Sequence, residues 1–552
     1  MKGLVKQAVN EALRACAASG QLAGADVPDF VVEVPNRVEH GDFAVNVAML
    51  LARAERKAPR QIAELLAQQL RCREDLWLSV EVAGPGFINL RLQPQLWFGV
   101  LETIHCQQQD YGRATIGAGQ RVQVEFVSAN PTGPLHIGHG RGAATGDAVA
   151  AVLQEAGYSV QREYYINDAG NQMDTLGRSI LLRYRQQRGE ALDFPADCYQ
   201  GDYIVELAEQ LFQEEGARLL QLPEVDAIRY CARWGGDIIR AGIDADLQDF
   251  GVHFDNWYSE QSLYDRELVA EGIEALRQAG HVYEQDGALW LRTTSYGDDK
   301  DRVLVRSNGA TTYFASDVAY HREKYQRGFN RVIDVWGADH HGYVPRMKAV
   351  LQALGRDPQD LHIILVQLVN LLRAGQQVAM STRAGTFVTL REVLDEVGRD
   401  ACRFFFLMRR GDSQLDFDLE LAKQQSNDNP VFYVQYAHAR ICSIKRNAAE
   451  AGLVLEGTPD CAALRLEEEL ALARLLERYP EVICTAAQHY EPHRLTFYVQ
   501  ELAAAFHSYY NQQRILVEDE AISRARLYLA EAVRQVLANG LRVLGVAAPQ
   551  KM

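Results

Sequence analysis

The densest cluster of chemically useful side chains is a pair of histidines three residues apart. His136 and His139 flank Gly138 within the glycine-rich segment 130–142. Imidazoles at this spacing lie on one face of a helix, and the glycine between them leaves the backbone open to a flat ring or a phosphate. A strand pattern precedes the segment and a helical pattern follows it, so backbone N–H groups and the helix dipole would favour an anion. This combination suits a nucleoside triphosphate.

Three other kinds of site have sequence patterns similar to this cluster. Paired histidines can ligate a metal, but no Cys, Asp or third His lies at ligand spacing nearby, and no metal site is predicted. The residues Gly138, Gly140 and Ala143 fit a dinucleotide-binding fingerprint, with Glu163 twenty positions further on. That fingerprint needs its first glycine directly after the strand, whereas residues 128–137 intervene here. The sequence contains no Gly-Lys dipeptide, which excludes a Walker A phosphate loop.

The elements that would position the cluster alternate between strand and helix. Strand patterns at 122–126 and 160–166 enclose a helical pattern at 138–156, which predicts a parallel βαβ unit. A second unit is predicted further along, with a strand at 332–336, a helix at 343–354 and a buried strand at 362–369. The helical and hairpin-like patterns between the two units predict an insertion at about 170–300.

Three domains are expected from these patterns. Residues 1–109 combine helical and strand signals and predict a small α+β domain, and residues 110–399 contain the two βαβ units with their insertion. Beyond about Asp400 the strand signals vanish, and helical periodicity predicts an all-α bundle over 400–552.

Composition excludes several classes of protein. The 552 residues include 73 acidic and 57 basic side chains, and the net charge of -16 argues against a uniformly basic coat for nucleic acid. A polyanion partner would therefore have to meet a local basic face. No apolar run is long enough to span a bilayer, and the N-terminus lacks a secretory apolar region, which predicts a cytoplasmic protein. The nine cysteines are scattered singly without a C-x-x-C pair, which favours reduced thiols.

The strand, the segment 134–139 and the helix together resemble the HIGH signature of the class I aminoacyl-tRNA synthetases. The KMSKS signature of that class is recognisable at 379–383, where both lysines are replaced, by Ala379 and Thr382. The resemblance implies that ATP and Mg²⁺ are used. It also implies roles at the phosphates for Ser381 and Arg383, and an ATP contact for Met380. Arg383 is expected to supply part of the lost lysine charge.

Within this class the chain resembles the bacterial arginyl-tRNA synthetases from residue 40 to 552. Six stretches carry the likeness: 124–131, 164–172, 313–317, 336–342, 429–440 and 506–511. The family is a multidomain α/β protein with a Rossmann-like class I catalytic domain that carries an insertion, an N-terminal α+β domain that touches the tRNA elbow, and a C-terminal all-α anticodon-binding bundle. Its activity is ATP-dependent formation of arginyl-adenylate from L-arginine and transfer of the arginyl group to tRNA(Arg).

The resemblance also implies site residues. His136 and His139 would stabilise the transferring phosphate. A planar guanidinium needs carboxylates that pair with it bidentately, which a lysine ammonium cannot match. The residues implied for arginine are Glu125, Asn130, Tyr313, Asp317 and His341. Those implied for ATP are Gly138, Gly337, Asp339 and Met380, with residues 366–368 near the adenine. Those implied for tRNA are Phe87, Asn89, Tyr436, Arg440, Tyr510 and Arg514, and the wider set of possible RNA contacts in the bundle includes Tyr433, Tyr509 and Arg446.

Two alternatives stay open at this point. A class I synthetase for another amino acid, such as cysteine, would lack the Glu125 and Asp317 pair and usually carries zinc ligands. A non-catalytic tRNA-binding homologue would account for the missing signature lysines, although His136, His139 and Ser381 are intact. The family habit is a monomer that needs tRNA present to activate arginine.

Overall fold

The N-terminal part of the chain folds as a small α+β unit. We analysed a computed structural model, which describes residues 1–24, 29–35, 37–378, 388–455 and 457–552. Four antiparallel strands in the order β1-β2-β4-β3 form one sheet, α3 packs on β3, and α1 packs on α3. The elements are α1 (Lys2–Ala18), β1 (Val32–Glu33), β2 (Phe43–Val45), α2 (Val47–Glu55), α3 (Pro59–Arg71), β3 (Trp77–Ala83), β4 (Phe87–Leu92) and α4 (Pro94–Gln107).

A five-stranded, fully parallel sheet organises the middle of the chain. Its strand order is β12-β11-β5-β6-β7, and every neighbouring pair is parallel. The strands are β5 (Arg121–Glu125), β6 (Ser159–Ile166), β7 (Asn256–Ser259), β11 (Arg331–Gly337) and β12 (Leu361–Val366), and the helices that connect two of the pairs directly are α5 (Ile137–Glu155) and α12 (Val344–Ala353). The predicted βαβ units are confirmed.

The long connections between these strands carry additional elements. Between β6 and β7 lie α6 (Asn171–Gln187), α7 (Asp202–Glu215) and α8 (Glu224–Asp249). Between β7 and β11 lie α9 (Gln261–Asp265), α10 (Leu268–Gln278), the antiparallel strands β8 (Val282–Gln285), β9 (Ala288–Leu291) and β10 (Arg302–Val305), and α11 (Tyr313–Gln326). Strand β7 falls inside the stretch predicted as an insertion, yet it pairs with β6 in the main sheet.

One predicted strand is two strands in the structure. The pattern at 362–369 covers β12 and then the start of β13 (Val369–Arg373), which belongs to a separate sheet with β14 (Gln376–Gln377) and β15 (Leu415–Asp418). The chain is redirected at Gln367, whose N–H donates to the carbonyl of Gly411 at 2.8 Å. Strand β15 also shows that the expectation of no strand beyond Asp400 is wrong for this segment. Phe417 of β15 is fully buried because the strand pairs with β13, which is distant in sequence.

The C-terminal part is otherwise helical, as predicted. After α13 (Leu390–Val397), α14 (Arg399–Leu407) and α15 (Leu419–Lys423), four long helices pack together: α16 (Pro430–Glu450), α17 (Glu467–His489), α18 (His493–Gln512) and α19 (Glu520–Val543). Helix α16 begins where the Asn429 side chain accepts from the N–H of Val431 and Pro430 occupies the first turn, a favourable start signal. Among the described residues, no helix is both long and apolar enough to cross a membrane.

Candidate active site

The site lies where the strand order of the parallel sheet reverses. From β5 the chain moves outward through β6 to β7, then returns to the other side of β5 to form β11 and β12. Ligands of open parallel sheets bind outside the carboxyl ends of the strands at this point. Strand β5 ends there at Glu125 and β11 ends at Gly337.

The two histidines form a stacked pair at the start of α5. Their ring centroids are 3.6 Å apart. The N–H of Gly138 donates to His136 Nδ1 at 3.1 Å, and the N–H of His136 donates to His139 Nδ1 at 3.2 Å. Because each Nδ1 accepts, the neutral ring carries its proton on Nε2. The two histidines therefore cap helix α5: they satisfy backbone donors at its start, and these hydrogen bonds fix one tautomer of both rings.

Burial keeps both rings uncharged. Loss of hydration lowers the pKa of His136. For His139, burial together with the neighbouring His136 lowers the pKa to about 3. At neutral pH both imidazoles are therefore neutral N–H donors at a helix N-terminus, where a phosphate is favoured by the helix dipole.

Gly138 is required by the histidine pair itself. A Cβ at this position would lie 2.9 Å from His136 Cε1 and 3.0 Å from its Nδ1. Any side chain would therefore push the ring out of the stack.

The segment that follows residues 379–387 returns directly to this helix start. The N–H of Leu390 donates to the carbonyl of Leu135 at 2.8 Å, and the N–H of Ile137 donates to that of Val388 at 3.3 Å. Met380, Ser381 and Arg383 themselves lie outside the described residues, so their predicted roles stay predictions. The next described residues, Val388 and Leu390, are hydrogen-bonded to the residues on either side of His136.

A strained turn ends β5 at the site. Val127 and Ser128 have φ values of 67° and 42°, a region that a β-branched residue such as valine rarely adopts and that costs about 1–3 kcal/mol. The turn lets Ser128 Oγ donate to Glu125 Oε1 at 3.0 Å while it accepts from the N–H of Tyr165 at 3.1 Å. The strain thus holds one carboxylate oxygen of Glu125 in place.

A continuous chain of buried polar contacts joins Glu125 to α11. Lys324 Nζ donates to Glu125 Oε2 at 2.5 Å and to Asp334 Oδ1 at 2.9 Å. His321 Nε2 lies 2.9 Å from Asp334 Oδ2, and its Nδ1 lies 2.9 Å from the carbonyl of Asp317. Lys324 and Asp334 are fully buried and Glu125 is 8% exposed. These contacts link the Glu125 carboxylate to the backbone carbonyl of Asp317, and the Asp317 carboxyl is near enough for His321, Asp334 and Lys324 to affect its pKa.

Tyrosines surround the carboxylate on α11. The hydroxyl of Tyr343 donates to Asp317 Oδ2. Burial raises the pKa of Asp317, and the Tyr343 hydrogen bond acts in the opposite direction. Tyr313 begins α11, one turn before Asp317, and is 54% exposed, with its hydroxyl beside Gly170.

The predicted pocket contact His341 lies in the 3-10 turn that follows β11. It is exposed, and its Nδ1 lies 3.2 Å from the carbonyl of Ala338 in its own 3-10 turn. Tyr343, from the end of the same turn, is the residue that reaches Asp317.

The remaining predicted substrate contacts lie at the same edge of the sheet. Asn130 Nδ2 donates to Gln172 Oε1 at 2.5 Å in the loop between β5 and α5. Asp339 is exposed in the turn after β11, and a Cβ on Gly337 would lie 2.4 Å from its Oδ1. Beside β12, Leu368 is 74% exposed.

Two helices of the bundle bring predicted RNA contacts together. Arg440 on α16 lies over the rings of Tyr436, at 4.4 Å, and of Tyr510 on α18, at 5.1 Å. Its guanidinium also donates to the Tyr436 hydroxyl at 2.8 Å and lies 3.1 Å from His507 Nδ1. The sequence prediction did not include His507, although it stands in the 506–511 motif. Stacked rings beside a guanidinium suit unpaired bases.

Other predicted RNA residues are placed differently. Arg514 is exposed, and its carbonyl accepts from Arg526. Tyr509, in the wider set of possible RNA contacts, is 1% exposed and donates to Glu469, so it belongs to the core and that expectation is wrong. In the N-terminal sheet Phe87 begins β4 and is half-buried, whereas Asn89 is only 9% exposed.

Comparison with known proteins accounts for the whole chain. Residues 3–92 match the arginyl tRNA synthetase N terminal domain, residues 101–410 the class I (R) tRNA synthetase catalytic domain, and residues 434–552 the DALR anticodon binding domain. Arginine–tRNA ligases of Syntrophotalea carbinolica and Citrifermentans bemidjiense are 66% and 58% identical to this chain, each over all of both chains. The chain belongs to the arginyl-tRNA synthetase family. The Thermus thermophilus arginyl-tRNA synthetase shares the fold, with a TM-score of 0.75, 24% identity and full coverage of both chains.

In this arginyl-tRNA synthetase, charged residues that the sequence prediction did not include lie close to Glu125 and Asp317. Lys324 and Asp334 are separated from Glu125 by 199 and 209 positions along the chain, so no local spacing links them. Glu260, at the carboxyl end of β7, is 3% exposed, and burial raises its pKa to about 7. The only sequence signal for these residues is that charged side chains stand inside apolar, helical or strand-like stretches.

Proposed function

We propose that the pocket at the carboxyl edge of the parallel sheet is where this arginine–tRNA ligase activates L-arginine with ATP and then transfers it to tRNA(Arg). The activity follows from the family, and the class I catalytic domain implies the use of ATP. The observation that supports the placement is that a chain of polar contacts links Glu125 to the helix that carries Asp317, at the edge of the sheet where the loop to the His136 and His139 cap begins.

In the first step a carboxylate oxygen of arginine attacks the α-phosphorus of ATP, and pyrophosphate leaves. Catalysis of such a displacement depends on positioning and on charge stabilisation, so the enzyme needs no nucleophile of its own. The Nε2–H groups of His136 and His139 would donate to phosphate oxygens, and the N-terminus of α5 adds its dipole. In the second step a ribose hydroxyl at the 3′ end of tRNA takes the arginyl group from the adenylate.

Mg²⁺ fits this site as a companion of the nucleotide. In the described part of the chain, no group of three His, Cys, Asp or Glu side chains converges on a metal position. Magnesium is commonly bound through substrate phosphates with few protein ligands. We therefore propose that it enters with ATP, where it would neutralise charge on the phosphates.

Amino-acid selection would rest on paired carboxylates. Glu125 and Asp317 can accept from both edges of a planar guanidinium, whereas a lysine ammonium offers a single point charge. Asn130 would hold the α-amino end, and Tyr313 would form a wall of the pocket. The cluster of Tyr436, Arg440 and Tyr510 would receive anticodon bases.

The test is the Asp317→Asn variant. A neutral amide loses one charge-assisted hydrogen bond, so we expect arginine to bind roughly tenfold or more weakly in calorimetry with tRNA(Arg) present. Asp265→Asn is the matched control, because Asp265 is exposed on α9, where it accepts from Gln261 of the same helix. Undiminished arginine binding by Asp317→Asn would remove this carboxylate from the pocket.

A further inference from the structure

Lys324 is a fully buried ammonium directly beneath the proposed arginine pocket. It stands near the end of α11, and its Nζ bridges Glu125 on β5 and Asp334 on β11. It also lies 4.3 Å from the centre of the Tyr320 ring. Burying an ammonium is costly unless it is paired and hydrogen-bonded. Here its partners are two carboxylates, one of which is a proposed substrate ligand.

We propose that Lys324 is a positioning residue for arginine selection, which keeps Glu125 an ionised acceptor in a site that would otherwise neutralise it. This inference rests on the proposed function, because it takes Glu125 as a guanidinium ligand. Lys324 does not touch the substrate, and it acts through Glu125.

The physical reason lies in the burial of Glu125. Removal from water raises the pKa of this carboxyl, and Asp334 adds to the rise, while Lys324 is the largest influence that opposes it. A protonated carboxyl has lost the charge that attracts a guanidinium, and one of its oxygens has become a donor. A carboxylate has capacity for about four hydrogen bonds. Lys324 and Ser128 use two of these, which leaves acceptor capacity for a guanidinium.

The other charged and titratable groups around Glu125 do not substitute for Lys324. From α11 the cluster includes His321, which is already bonded to Asp334. From β6 it includes Glu163 and Tyr165, an acid and a phenol that can only add negative charge. Glu163 is bonded to Arg327, with contacts of 2.5 and 2.8 Å. Lys324 is therefore the cation bonded to Glu125.

The test measures KM for arginine and for ATP in tRNA-dependent pyrophosphate exchange by Lys324→Met, from pH 7 to pH 9. We expect the KM for arginine to rise roughly tenfold or more at pH 7, with the KM for ATP unchanged. Loss of the ammonium partner should raise the pKa of Glu125 further, so a larger fraction of Glu125 is protonated at pH 7 than at pH 9. The KM for arginine of this variant should therefore fall towards pH 9, whereas the guanidinium of the substrate stays charged throughout. An unchanged KM for arginine, or an equal rise for ATP, would overturn the proposal.

Two further variants separate this role from a structural one. The double variant Lys324→Met/Asp334→Asn removes the unpaired charge that Lys324→Met alone would leave on Asp334. Glu125 still has no cation in this double variant, so the KM for arginine should stay raised even if stability recovers. A return to the wild-type KM would overturn the proposal, and this variant answers the question if Lys324→Met alone does not fold. Arg327→Met, which removes the cation bonded to Glu163, should leave the KM for arginine within about twofold. An equal rise there would also overturn it.

The proposed pocket has its own test in Glu125→Gln. If Glu125→Gln and Asp317→Asn both leave the KM for arginine unchanged, the pocket assignment fails. If both raise it but Lys324→Met does not, only the role of Lys324 fails.

Discussion

At the scale of single residues, the site works by controlling which groups are charged. His136 and His139 are neutral because they are buried and stacked. A neutral ring can still donate a hydrogen bond to a phosphate, but it does not form an ion pair with it. Glu125 is almost as buried as the core, burial raises its pKa, and the bonded Lys324 ammonium opposes that rise. Burial is the largest influence on the pKa of all three side chains; His136 adds to it for His139, whereas Lys324 opposes it for Glu125.

The pKa of His139 gives a stability prediction. The folded pKa lies below the unfolded value of about 6.5. The unfolded chain therefore binds a proton below that pH that the folded chain does not, and stability is lost as the pH falls. Between pH 7.5 and 5.5 we expect wild type to lose at most about 1.4 kcal/mol more than His139→Asn. Thermal unfolding of both proteins at the two pH values measures this. Identical losses would show that His139 is not held neutral by the fold.

At the scale of elements, α5 links phosphate binding to the rest of the catalytic domain. Its N-terminus carries the histidine pair, and Arg141 in its second turn is fully buried and donates to the carbonyls of Gln367, after β12, and Arg410. Helix α5 therefore connects the proposed phosphate site with the segment predicted to lie near adenine.

Gly138→Ala tests whether the helix start must be this compact. The added Cβ would displace the His136 ring, and loss of one oriented donor typically costs about 10² in rate. We expect kcat/KM in pyrophosphate exchange to fall by that order. Gly142→Ala is the control on the same helix, because a Cβ there meets nothing within 4 Å. Equal activity of the two variants would contradict the role given to the cap.

The elements also show what the sequence could predict. Strands β5, β6 and β11 and helix α5 were predicted because each has a clear local period. Strand β15 was missed and β12 was extended into β13, because both boundaries depend on distant partners such as Gly411 and the β13 pairing. Glu125 and Asp317 were predicted as pocket residues because they stand in the motifs that carry the resemblance to the family. Lys324 could not be predicted as their partner, since only the folded sheet brings it to Glu125.

At the scale of the whole molecule, the three parts are joined by specific contacts. Arg403 on α14 is fully buried and donates to Asp147 of α5 at 2.5 Å, to the carbonyl of Leu544 after α19 at 2.9 Å, and to that of Phe250 after α8 at 3.3 Å. At the other end of the bundle, His105 of α4 stacks on Tyr528 of α19 at 3.7 Å. These contacts place the bundle in a fixed relation to the catalytic sheet.

The overall charge of -16 affects how the molecule would bind RNA. A net negative body repels RNA except where local cations meet it, so binding should be selective and sensitive to salt. The cluster around Arg440 is a candidate for such a place, because within the described part of the chain its guanidinium contacts rings and no carboxylate.

The most direct measurement is amino-acid-dependent exchange of pyrophosphate into ATP, run for each standard amino acid with and without tRNA(Arg). The account predicts exchange with L-arginine alone among them, and only when tRNA is present. Exchange supported by another amino acid, or none with arginine and tRNA together, would contradict the assignment of this pocket to arginine activation.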